Sequence, residues 1–129
     1  MQLDLSGKRA LVCGASQGIG RACALELAGL GARVTLFGRN RDSLSAVLAE
    51  LPRHAQQAHD LLIADFTDPA SVKTAIEAHL TTGDYQILIN TTGGPAPGPA
   101  HLAETTAFLA AFNQHLICNQ ILVQALLPA

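Results

Sequence analysis

Short apolar runs alternate with longer amphipathic stretches along the chain. Arg9 to Cys13, Arg33 to Phe37, His59 to Ala64 and Gln86 to Asn90 read as strands: each is compact and rich in large aliphatic residues. Between them the apolar positions recur at helical spacing. Ala22, Leu25, Leu27, Ala28 and Leu30 give a broad apolar face to a helix over Gln17 to Leu30, and Gly29 and Gly31 mark its end. Leu44, Val47, Leu48 and Leu51 define a second helix, capped by Asn40 or Asp42 and closed by Pro52. Asp68 and Pro69 form an N-cap followed by a first-turn proline, and the third helix runs to about Leu80. Gly83-Asp84 is a turn, and Thr91 to Pro99 is a loop rich in Gly and Pro. A last helix spans about Glu104 to Leu127, before Pro128, and is apolar on most sides, so it expects a cover.

Strands separated by helices of this length predict a parallel sheet with right-handed crossovers. In such sheets ligands sit beyond the carboxyl ends of the strands. Four features fall there. Gly14-Ala15-Ser16-Gln17-Gly18-Ile19-Gly20 joins the first strand to the first helix. Its glycine spacing suits a turn lying against a diphosphate, with backbone N–H groups and the helix dipole facing the anion. Ser16 and Gln17 either bind phosphate or ribose or cap the helix. Gly38-Arg39-Asn40-Arg41 ends the second strand with no acid before Asp42. A carboxylate there would accept from the ribose hydroxyls of NAD, whereas Arg39 offers a planar cation to a 2′-phosphate, so NADP is expected over NAD. Asp65 ends the third strand, where it can accept from an adenine amino group with Phe66 packing on the ring. Asn90-Thr91-Thr92-Gly93-Gly94 ends the fourth: Asn90 can tie neighbouring strand ends, and the glycines let the loop approach a ribose.

Composition narrows the classes. The chain has 129 residues, enough for one domain with a sizeable core, and at 49% hydrophobic it is no disordered tail. Its net charge of −2, with both signs interspersed, excludes the basic stripe of a nucleic-acid binder and a polybasic membrane patch. No apolar run approaches the ~18 residues of a membrane span, and Met1 to Leu5 do not read as a signal peptide. Cys13, Cys23 and Cys118 read as free thiols in a reducing, cytoplasmic setting. His54 and His59 are the one close ligand pair and lack a cysteine partner, so no metal is expected.

Together these motifs resemble the short-chain dehydrogenase/reductase family over essentially the whole chain. Gly14-x-x-x-Gly18-Ile19-Gly20 resembles its cofactor motif, Asp65 its adenine-contacting acid, and Asn90-Thr91-Thr92-Gly93 its Asn-Asn-Ala-Gly motif with both middle positions changed. The segment through Pro128 resembles its fourth helix. The resemblance is closest to the branch holding the 3-oxoacyl-carrier-protein reductases. It implies a Rossmann-type parallel sheet with helices on both faces, strand order 3-2-1-4, in one domain incomplete at its C-terminus. It also implies a small carbonyl or alcohol substrate and pairing of copies through the last helix. The family's helix-four asparagine, part of a proton relay, falls on His115, the one candidate catalytic residue. The family's Ser and Tyr-x-x-x-Lys have no counterpart: the only tyrosine is Tyr85 and the only lysines are Lys8 and Lys73. The chain is therefore expected to bind NADP and not turn over. The alternative is a non-enzymatic nucleotide-sensing or interaction module. An epimerase of the extended branch, with its Gly-x-x-Gly-x-x-Gly turn, fits less well.

Overall fold

A computed structural model describes residues 3–54, 57–94 and 96–127. Pro95 of the Gly/Pro loop and Pro128, expected to end the last helix, lie outside the described residues. The strands are β1 (Arg9–Cys13), β2 (Arg33–Gly38), β3 (Asp60–Ile63) and β4 (Ile87–Ile89). The helices are α1 (Gly18–Gly29), α2 (Arg41–Glu50), α3 (Pro69–His79), α4 (Thr105–Phe112) and α5 (Cys118–Leu126). All strand pairs are parallel, in the order β3-β2-β1-β4, as expected. Leu11 stands beside Thr35 on one side and Leu88 on the other.

Strand alternation sorts the core into two layers. Ala10, Val12, Val34 and Leu36 face α1 and α2, where Ala24, Ala28, Leu44 and Val47 meet them. Leu11, Cys13 and Phe37 face the other side, against Val72 and Ile76 of α3 and Cys118 and Leu122 of α5. Burial pushes the Cys13 thiol up to about 12, so it sits there as a neutral, inert apolar group.

Local signals account for the helix starts. The Asn40 side chain caps α2, accepting from Ser43 N at 3.0 Å. Asp68 occupies the cap position of α3 ahead of Pro69, but its side chain makes no cap bond; its carbonyl accepts from Ser71 N and Val72 N instead. Gln17 holds the cap position of α1 with its side chain likewise uncommitted.

At the amino end of the sheet a polar group is buried with its partners. Thr35 donates to Asp60 Oδ1 at 2.6 Å, which leaves its oxygen to accept from the Tyr85 hydroxyl, also at 2.6 Å. Arg9 donates to the same tyrosine oxygen at 3.3 Å and lies over its ring. Burial first of all holds the Tyr85 phenol above its ordinary pKa. His59 is also structural: its Nδ1 accepts from Val34 N at 3.0 Å, and Nε2 faces the Pro52 carbonyl at 2.8 Å.

The last helix departs from expectation at one point. It is broken by a π turn, Asn113–Ile117, between α4 and α5. The Cys118 N–H bonds to the Asn113 carbonyl five residues back, and the Asn119 side-chain amide donates to the His115 carbonyl at 2.7 Å. It is also only partly covered. Cys118, Leu122 and Leu126 are buried, whereas Phe108, Leu109, Phe112 and Leu116 are each half exposed or more. No helix among the described residues is long and apolar enough to cross a membrane.

Candidate functional site

The carboxyl ends of all four strands open into one groove of about 340 Å³, inside the range of ~300–1,000 Å³ usual for small-molecule sites. The glycine turn forms its floor. Gly14 takes a φ of 62°, the left-handed region, and packs so closely that a Cβ there would strike the Thr91 carbonyl. A Cβ on Gly20 would strike the Gly14 carbonyl and come within 2.7 Å of Thr91 Oγ1. The two glycines thus bring β1, α1 and the segment after β4 to one point. Ser16 and Gln17 line it, and their side chains hold no hydrogen bond among the described residues. Gly18, Ile19 and the buried Gly20 lie outside the lining; a Cβ on Gly18 would meet nothing within 4 Å, and Ile19 is 74% exposed.

At the end of β2, Arg39 and Asn40 line the groove. Asn40 is committed to capping α2. The exposed Arg39 guanidinium makes no hydrogen bond or ion pair among the described residues. At the end of β3, Asp65 Oδ1 accepts from Thr67 N at 2.9 Å and from Thr67 Oγ1 at 2.7 Å. These bonds, with a smaller contribution from Arg39, hold its carboxyl below the usual value. Asp65 also lines the groove and is an anion facing a cation across it. Phe66 also lines the groove; most of its ring is buried, edge-on to Phe37 with centroids 4.9 Å apart, on the α3–α5 side of the sheet.

The segment after β4 brings a correction. Asn90 is exposed and outside the groove lining, because β4 ends at Ile89 and the next inward position belongs to Thr91. Thr91 Oγ1 donates to the Cys13 carbonyl at 2.6 Å and ties β4 to β1, the task expected of Asn90. Thr92 and Gly93 line the groove. Thr92 Oγ1 lies 2.7 Å from His115 Nδ1. His115 therefore latches the loop to the π turn, and the groove lining does not include it. Sequence reasoning missed Gln114, the one lining residue from the last helix; a polar residue beside an expected candidate was its only signal. Among the described residues no three His, Cys, Asp or Glu side chains converge as a metal site.

A doubly wound parallel sheet with a glycine turn at its first crossover defines the Rossmann class of folds. Within it, this chain belongs to the short chain dehydrogenase family, whose model matches residues 8–129. It is 38% identical over 96 residues to glucose 1-dehydrogenase of Gluconobacter oxydans, covering 74% of this chain and 36% of that protein. It is 29% identical over 124 residues to the human inactive hydroxysteroid dehydrogenase-like protein 1, covering 95% of this chain and 38% of the relative. Among solved structures it is similar to L-sorbose reductase of Gluconobacter frateurii, complexed with NADPH and L-sorbose. That match has a TM-score of 0.88 at 26% identity, covering 99% of this chain and 49% of the reductase. The chain spans half or less of the length of each of these proteins.

Proposed function

We propose that this chain is the cofactor-binding part of an NADP-dependent oxidoreductase acting on a small carbonyl or alcohol. One observation carries the reading: an uncommitted Arg39 and no acid at the end of β2, beside a turn whose Gly14 and Gly20 leave no room for a side chain. Gly14, Gly20 and the start of α1 would cradle the diphosphate, and Arg39 would pair with the 2′-phosphate. Asp65 would accept from the adenine amino group, and Thr92 and Gly93 would border the nicotinamide-side ribose. When bound, the nicotinamide supplies the hydride. The NADPH held by the similar sorbose reductase supports this choice of cofactor. The substrate class, whether 3-oxoacyl thioester as the motifs suggest or sugar as the relatives' names suggest, is part of the proposal.

We further propose that the chain alone does not turn over. Its only tyrosine sits at the amino end of β4, across the sheet from the groove, bonded to Thr35. A general acid must reach the reacting oxygen, and Tyr85 is at the wrong end. The alternative, a nucleotide-binding module without catalysis, draws support from the likeness to an inactive dehydrogenase-like protein. The expected result is saturable NADPH binding, tighter than NADH, with no oxidation of NADPH on adding acetoacetyl thioester or L-sorbose. Ordinary turnover would remove the inactivity claim, and absence of dinucleotide binding would remove the whole reading.

The partly exposed face of Phe108, Leu109, Phe112 and Leu116 is proposed to pair copies of the chain, since an apolar patch of this kind favours association. Light scattering should report a species larger than the monomer. A monomer persisting at high concentration would contradict this.

A further inference from the structure

Three of the groove's polar side chains are spoken for. Asn40 caps α2, Asp65 Oδ1 is held twice by Thr67, and Thr92 is latched to His115. Apart from the glycine turn and the cationic Arg39, the lining side chain with no hydrogen bond among the described residues is Gln114. Its position is determined from two directions. Its neighbour His115 is bonded to Thr92 at the end of β4, and Cys118 Sγ, one turn further on, donates to the Phe66 carbonyl at the end of β3 at 3.2 Å. The π turn therefore stands between the two strand ends and carries Gln114 into the groove.

We propose that Gln114 is a specificity-determining residue for the nucleotide, its amide bonding the amino–N1 edge of the adenine. The inference rests on the dinucleotide reading above. That edge carries a donor and an acceptor side by side, and a carboxylate such as Asp65 answers only the donor. A side-chain amide supplies the missing donor and is a suitable partner for adenine. The π turn has a consequence here: in a regular helix the residues after Phe112 would be rotated away from their present facing.

The test uses 2′-phospho-ADP-ribose and its etheno derivative, in which a bridge closes the amino–N1 edge, titrated against wild type and Gln114→Leu. Loss of one hydrogen bond in the variant should weaken the adenine ligand by about tenfold and the etheno ligand by less than about twofold, since its edge is already blocked. Gln114→Glu keeps the shape and removes the donor, and should show the same selective loss. Equal loss on both ligands would place the contact elsewhere, and no loss on either would remove the role; each overturns the proposal while leaving the dinucleotide reading intact. Failure of the wild-type chain to bind either ligand would sink both. Far-ultraviolet circular dichroism of each variant separates loss of contact from loss of fold.

Discussion

Replacing Arg39 by alanine is expected to weaken NADPH binding by about 10- to 100-fold, the worth of a charge-assisted phosphate contact, and to leave NADH binding nearly unchanged. The guanidinium has no hydrogen bond or ion pair to lose among the described residues, only its minor attraction for the Asp65 carboxylate, so the fold should survive its removal. Asp42 sits in the first turn of α2, leaving the end of β2 itself without a carboxylate to repel a 2′-phosphate. Arg39 is exposed, so part of its attraction is screened, and the preference for NADPH should shrink as salt is raised. Calorimetric titrations of both cofactors at two ionic strengths check this. Equal affinities in the wild-type chain would defeat the assignment of Arg39 before any mutation is made.

Gly20→Ala should remove dinucleotide binding and lower stability by about 1–3 kcal/mol, as overpacking at a tight contact does. The new methyl would strike the Gly14 carbonyl and Thr91 Oγ1, and neither can step aside. Gly14 N is bonded to the Phe37 carbonyl at 3.0 Å, and Thr91 Oγ1 is bonded to the Cys13 carbonyl at 2.6 Å. Helix α1 must back away, which opens the turn that would hold the diphosphate. Gly18→Ala is the contrast. Its methyl meets nothing within 4 Å at a φ of 61°, so the cost is left-handed backbone strain alone, about 1 kcal/mol. Urea midpoints and NADPH titrations of both variants would show the difference; an unchanged midpoint for Gly20→Ala would mean that the contact is not tight.

The elements were legible because their causes are local. Alternating and helical apolar periods, the Asn40 cap and the Asp68-Pro69 start each lie within a few residues, and the strand order followed from the resemblance that the motifs carried. The site was legible as a set of positions and less so as a set of roles. Asn90 and Thr91 differ by one residue, and which of them faces β1 depends on where β4 stops pairing. Phe66 lines the groove and packs against Phe37 in the same cluster as α5, a double placement that no local pattern announces. The π turn left no periodic trace, since one extra residue merely shifts the phase of a helix that is apolar on most sides.

The sequence by itself determined the layered parallel sheet, the tight glycine turn, and a cation without an acid at the end of β2. These follow from side-chain size, period and charge along short stretches. Only the tertiary structure decided which polar groups are free to meet a ligand. Thr91 is joined to Cys13 across 78 positions and Thr92 to His115 across 23. Hydrogen-bond partners so far apart along the chain are chosen by packing, and packing is what leaves Arg39 and Gln114 uncommitted in the same groove.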